Sequence, residues 1–339
     1  MRRFTILAGI GGLLAGTVVI AYFGFGQVTR ALLAIGWGGF AAILVYRLAA
    51  TSLLGFCWSL LARPPVRRAA FVWGRLIRDS AAEVLPLSQV GGFVMGARAA
   101  TLMGVSGTVA IASTVVDVTL EALGQMGYTA LGLSIMAARQ PTNRFIAWTI
   151  FGLCLAVLAL VAFAAMQRHG FGRLGRLLAL IASHCFSDAV GRLAPVGEAL
   201  RDIWNRSGAL WLAGLLHFGA WIVSGVEAWL ALHFMGLGIG LASVLAIESL
   251  LHAIRSVAFA VPNALGVQEG AYILIGGMFG LPPEAALALS LLKRSRDLVI
   301  GAPALLSWQL AESGRLLAER SAALDPVKAG SPRRAKPFL

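Results

Sequence analysis

Charge is scarce in this chain. Asp, Glu, Lys and Arg together make up 13% of its 339 residues, where a soluble domain carries about a quarter. No polar stretch is long enough to bury a core of its own, so no soluble catalytic domain is expected. Catalytic signatures are missing as well. There is no Walker A sequence, and GVSG at 104–107 lacks G-x-S-x-G spacing. The five histidines include no H-E-x-x-H. The cysteines, Cys57, Cys154 and Cys185, lie far apart without a CxxC, and read as small core residues. Neither a metal site nor a cofactor is expected, and the chain does not read as an enzyme.

What fills the chain is apolar: 58% of it is hydrophobic, with a mean hydropathy of +0.82. That composition implies an all-α polytopic membrane protein. The net charge is +13. The arginines sit mostly in loops and the tail, which fits the positive-inside rule and anionic headgroups, not nucleic acid.

Met1-Arg2-Arg3 precedes an apolar run over 4–23, longer than a signal h-region and without a cleavage site, so it predicts an uncleaved helix with a cytoplasmic N-terminus. Its Gly9, Gly12 and Gly16 would permit close helix approach. A span over 32–61 carries Arg47, and a basic loop (Arg63, Arg67, Arg68) follows. Residues 71–78 look amphipathic and interfacial. Residues 83–104 are broken at Pro86 and Gly91-Gly92, carry Arg98, and read as re-entrant. Spans follow over 105–136 and 145–166. Residues 167–206 read as a cytoplasmic loop, with an apolar piece over 177–186 too short to span. Spans over 210–234 and 241–261 come next, then a basic disordered tail over 313–339. The expected architecture has about seven to eight transmembrane helices plus re-entrant elements. They form one domain over 1–312, with halves 1–166 and 207–312. This span count leaves the basic tail on the side that the positive-inside rule disfavours.

Residues 259–309 organise the chain. Pro262 and Gly266 break this apolar stretch once, and Pro282-Pro283 break it again. Glu269 follows the first break, and Lys293, Arg294, Arg296 and Asp297 follow the second. Ionised groups and broken backbone at membrane depth mark a candidate site. Pro86 and Pro262 lie 176 residues apart. The same offset sets Gly104 on Gly280, Asp117 on Lys293 and Glu121 on Asp297, which suggests a two-fold internal repeat.

Asp117 and Glu121 share one helical face. They read either as a carboxylate pair facing a polar cavity, or as partners of Arg98, Arg47 or the Lys293 cluster. Glu248, His252 and Arg255 also share a face, where Glu–Arg neutralisation is the plain reading and a proton relay the alternative. Lys293 and Asp297 can pair at i,i+4. Glu269 and Arg294 form either a structural tie or, with opened helix amides, a site for an anionic headgroup.

The stretch VPNALGVQEGAYILIGGMFGLPPEAALALSLLKRSRDLVIGAPALLSWQ resembles the C-terminal signature of the lysylphosphatidylglycerol-synthase transmembrane-region family, with its MprF-like flippase fold. LGVQEG, LALSLLKRSRD and GAPALLSWQ look closest to the hopanoid-biosynthesis-associated, HpnL-type branch. HFGAWIVSGVEAWLALHFMG, LAIESLLHAIRSVAFAVP and STVVDVTLEALGQ look like it too. The resemblance covers nearly residues 2–312. It implies a bacterial inner-membrane protein that translocates or transports a hopanoid or anionic phospholipid. Non-catalytic scaffolding of hopanoid-modifying enzymes is the alternative. It carries the family's acidic residue onto Glu269 and its arginine-bearing helix onto Arg294 and Arg296. The Gly-Glu pair usual near the first break is replaced here by Gly91-Gly92-Phe93.

Overall fold

A backbone surrounded by lipid must satisfy its own hydrogen bonds, and a helix does so within one segment. The computed structural model describes residues 33–84, 89–140, 144–169, 187–258, 261 and 264–324. Among the described residues there are ten helices and no strand. In chain order they are α1 (Gly36–Ser59), α2 (Arg68–Val84), α3 (Gln89–Leu102), α4 (Gly107–Arg139), α5 (Arg144–His169), α6 (Ser187–Trp204), α7 (Ser207–Phe234), α8 (Leu241–Val257), α9 (Val267–Met278) and α10 (Pro283–Leu324). The expected first helix over 4–23, the breaks at Pro86 and Pro262, the apolar piece over 177–186 and residues 325–339 lie outside the described residues.

By length and composition, four helices suffice to cross a membrane: α1, α4, α7 and Ile146–Arg168 of α5. They match the expected spans closely, because long apolar runs leave no other way to satisfy the backbone. Helix α5 is nearly bare outside its α4 and α6 contacts, exposing Trp148, Phe151, Leu155 and Leu158. Such a surface suits a lipid environment.

Contacts between loops fix the two ends of the bundle. At one end the Arg206 guanidinium donates to the carbonyls of Leu60 and Leu61 at 3.1 Å each. The 103–106 turn lies beside the same loop. This is the basic end. At the other, Arg139 donates to Ser243 at 2.8 Å and Gln140 to the Met278 carbonyl at 2.8 Å.

Two helix pairs are too short to travel between these ends. Helices α2 and α3 have 17 and 14 residues, α8 and α9 have 17 and 12. At 1.5 Å per residue they reach about 18–26 Å, against a hydrocarbon core of about 30 Å. The α2–α3 hairpin enters from the basic end and the α8–α9 hairpin from the opposite end. They meet inside the bundle, where Arg255 near the end of α8 donates to both carboxylate oxygens of Glu83 near the end of α2, at 3.0 Å. Gln125, midway along α4, donates at this depth to the His252 carbonyl and the Ser256 hydroxyl.

This corrects two expectations. Residues 241–257 do not run the length of the bundle, because the helix ends where it meets Glu83. Helix α10 therefore begins at the far end and returns to the basic end, where Trp73 donates to Ser307 and Arg98 pairs with Glu312. The later turns of α10 then lie at the end that holds the other basic loops. Helix α10 also continues to Leu324, beyond the boundary expected after Glu312.

Both short helices end in the same way. Gly104 (φ +93°) follows α3, with Val105 N–H donating to the Ala100 carbonyl at 3.2 Å. Gly280 (φ +81°) follows α9, with Leu281 N–H donating to the Gly276 carbonyl at 2.9 Å. The left-handed conformation favours glycine at each stop. Pro282 accepts from Ala286 N–H, and Pro283 opens α10 at the position that loses no helical hydrogen bond.

A buried chain of ion pairs between two helical hairpins

Most of the charged groups singled out in the sequence come together inside the bundle. They form three clusters, each built where a hairpin helix faces a long helix.

The first lies between α2, α4 and α7. Asp117 is fully buried. Arg78 donates to it at 2.7 Å, and the His217 Nε2 lies 3.0 Å from its other oxygen. Glu121, one turn on, takes Arg75 at 2.7 Å and also pairs with Arg78. Arg75 further pairs with Asp79 at 3.0 Å. The Phe93 ring covers the Arg78 guanidinium at 4.5 Å. The partners of Asp117 and Glu121 are thus Arg75 and Arg78, not Arg98, Arg47 or the Lys293 cluster. Arg98 instead pairs with Glu312 and Arg47 sits 4.0 Å from Glu227. The expected interfacial stretch over 71–78 is in fact an interior helix face, with Phe71, Ile77, Arg75 and Arg78 all buried. Its arginines resemble headgroup-facing residues in sequence, and apart from Asp79 the acids that neutralise them lie about forty residues away in sequence.

The second cluster joins α7, α8, α9 and α10. Glu248, fully buried, receives the Lys293 ammonium at 2.6 Å and the Tyr272 hydroxyl at 2.5 Å. His252 Nε2 is 3.7 Å away. Arg296 pairs with Glu227 and, at 2.7 Å, with Asp297. Two expected pairings fail. Lys293 bonds to Glu248 and not to Asp297. Arg255 neutralises Glu83 and not Glu248. In both cases a hairpin helix offers a partner with better geometry than the same helix one or two turns along.

The third cluster sits at the start of α9. Gly266 (φ +77°) is the N-cap, and its N–H donates to Glu269 Oε2 at 2.9 Å. This is the backward half of a capping box, which explains Glu at the third helical position. The other oxygen of Glu269 accepts from Ser290 and from Arg294 Nε, both at 2.9 Å. Gln268 completes the set by donating to Ser290. The Glu269–Arg294 tie expected from sequence is therefore present. Arg294 Nη2 is buried and makes no hydrogen bond among the described residues, which leaves one cationic donor spare beside the α9 N-terminus.

Sequence reasoning missed Arg75, Arg78, Asp79, Glu83 and Tyr272 as members of this interior. Spacing alone carried a hint: Arg75, Arg78 and Asp79 stand three to four apart on one face.

Cys57, Asp117 and His217 bring potential ligand atoms within 4.8 Å of one another. The set fits a cation poorly. Asp117 is already bonded to Arg78 and His217, and the Cys57 thiol donates to the Ala213 carbonyl at 3.4 Å. Arg75 and Arg78 would repel a metal ion there.

Helices long and apolar enough to cross a bilayer, wrapped around paired charges, define a multi-pass integral membrane protein. The chain belongs to the lysylphosphatidylglycerol synthase TM region family, whose family model matches residues 7–304. Membership points to a function connected with membrane lipids. No curated protein and no solved structure gives a match.

Proposed function

We propose that this protein translocates a lipid across the bacterial inner membrane. The headgroup would pass through the polar interior between the two hairpins while the acyl chains stay in lipid. One observation carries this reading: in a family linked to lipids, the bundle is filled at mid-depth with ionised side chains. Buried ion pairs seldom improve stability over a packed apolar core. Charges at that depth serve passage or binding more often than architecture.

Glu269, Arg294, Arg296, Asp297, Lys293, Asp117, Glu121, Glu248 and Arg255 line the proposed route. Arg98, tied to Glu312, stands at its basic mouth. The unpartnered Nη2 of Arg294 and the α9 N-terminus suit a phosphate-bearing headgroup. Each pairing must open in turn, so the headgroup replaces one ionic partner at a time.

The two halves read as an inverted repeat. Helices α1–α4 and α7–α10 follow the same order: long, 17-residue, short, long. The caps at Gly104 and Gly280 are 176 residues apart and share one hydrogen-bond pattern. Inverted hairpins with broken backbone at mid-depth are a recurrent transporter device. The basic end faces the cytoplasm in this proposal. Among the described residues, five helices (α1, α4, α5, α7 and α10) then make the full crossings. The resemblance to the hopanoid-associated branch makes a hopanoid or an anionic phospholipid the proposed cargo.

The mutual pairing of the buried charges favours a second reading, a non-catalytic scaffold held rigid by ionic ties. One experiment separates the two. The lipids of each leaflet are compared in wild-type, deletion and Glu269→Gln cells. Translocation predicts a lipid stranded in one leaflet in both altered strains. A missing chemical species without stranding would support the scaffold.

A further inference from the structure

The basic end holds a feature that the interior route does not use. Two cavities, of about 420 and 470 Å³, flank the loop that joins α1 to α2. They share Ala62, Pro65, Val66 and Arg67, so they are two sides of one basin. Both volumes fall in the range of small-molecule sites.

The rim is cationic. Arg63, Arg67, Arg68 and Arg206 surround the basin, against a single acid, Asp202. Arg63 and Asp202 pair with each other. Arg206 is braced by the carbonyls of Leu60 and Leu61. The Arg68 guanidinium lies 5.1 Å over the Phe56 ring. Four positive charges and one negative leave three in excess. Among the described residues, no salt bridge joins Arg67 or Arg68 to an acid. Helices α2, α4 and α7 all begin here, and α7 has no side-chain cap. Their N-terminal amides add positive potential.

The floor is apolar. Leu61, Ala62, Val105 and Ile203 are buried beneath it, with Met103 and Val109 beside them. A soluble anion has no use for such a floor. A lipid does: its phosphate meets the rim while the glycerol and first methylenes cover the floor.

We propose that this basin binds the phosphodiester headgroup of an anionic phospholipid in the leaflet at the basic end. The site is separate from the buried ion pairs and stands whether or not they carry cargo.

The test uses the full chain purified in detergent, with labelled phosphatidylglycerol as probe and phosphatidylcholine as the neutral control. Each surface charge contributes about 1 kcal/mol to anionic-lipid binding, so the double variant Arg67→Gln/Arg68→Gln should bind phosphatidylglycerol roughly 30-fold more weakly. The variant Arg201→Gln/Arg315→Gln loses the same charge outside the basin and should stay within about threefold of wild type. Arg67→Lys/Arg68→Lys keeps the charge and should retain most of the binding, which guards against a folding artefact. Equal losses in the two Gln double variants would overturn the proposal. So would displacement of the lipid by millimolar inorganic phosphate, which would identify a soluble anion as the ligand.

Discussion

The contact between Glu83 and Arg255 joins the tips of the two hairpins, and breaking it should cost more than a surface ion pair does. One guanidinium nitrogen of Arg255 reaches both carboxylate oxygens at 3.0 Å. Each side chain is 20% exposed, so each is largely removed from solvent. Removing one partner of a fully buried pair costs about 3–5 kcal/mol, and partial exposure reduces this to about 2 kcal/mol. Glu83→Gln and Arg255→Gln should each destabilise by that amount, because each removes one side of a largely buried ionic contact at mid-depth. The double variant removes both charges, so its loss should be well below the sum, with a coupling of about 1–2 kcal/mol. The assay is reversible unfolding of the full chain in mixed micelles, monitored by Trp fluorescence. Additive losses within 0.5 kcal/mol would mean that the tips do not hold each other, and the arrangement of two opposed hairpins would be wrong.

Three further outcomes follow from particular contacts. A Cβ at Gly55 would lie 2.4 Å from the Val72 Cα, a backbone atom that cannot turn away. Gly55→Ala should therefore destabilise the α1–α2 packing by about 1–3 kcal/mol in the same unfolding assay. Trp37 and Trp211 are exposed and lie near opposite ends of the bundle. Single cysteines placed there in a Cys-free chain should react with an impermeant maleimide from opposite sides of sealed vesicles, and labelling from one side would contradict the topology. The Arg63 hydrogen bond holds the Asp202 carboxyl below its ordinary range. The contribution of that pair is present above the ordinary range and is lost only as pH falls through the lowered value. Phosphatidylglycerol binding at the basin should therefore be flat from pH 8 to 5, and should strengthen in more acidic solution as Asp202 is neutralised.

Much of this architecture could be read from the chain. Apolar runs gave α1, α4, α5 and α7 within a few residues, because lipid allows only one local solution for such a run. Gly280 and Pro282-Pro283 marked the stop between α9 and α10. Glu269 and Arg294 were legible as a pair, since a G-x-x-E cap and an arginine on the following helix are both local signals. The remaining partners were not. Arg78 meets Asp117, Arg255 meets Glu83 and Lys293 meets Glu248 only because two hairpins fold inward from opposite ends. Spacing on one helix proposes i,i+4 partners, and it gives no view of a helix that arrives from elsewhere in the chain. The same limitation set α8 down as a full span. Its early stop is decided by what it meets, not by its own composition.

The central claim is that the interior charges handle a lipid headgroup, and reconstituted vesicles test it most directly. Wild-type protein and Glu269→Gln are placed in liposomes with a fluorescent phospholipid or hopanoid in one leaflet, and its appearance in the other is followed by dithionite quenching. The Gln carbonyl oxygen can still accept from the Gly266 N–H, and its amide group can donate to the Ser290 hydroxyl in turn, so the fold should survive. It cannot neutralise Arg294. The account predicts redistribution by the wild type and a rate at least tenfold lower in the variant, about 1.4 kcal/mol in the barrier. Equal rates in wild-type, variant and protein-free vesicles would contradict it.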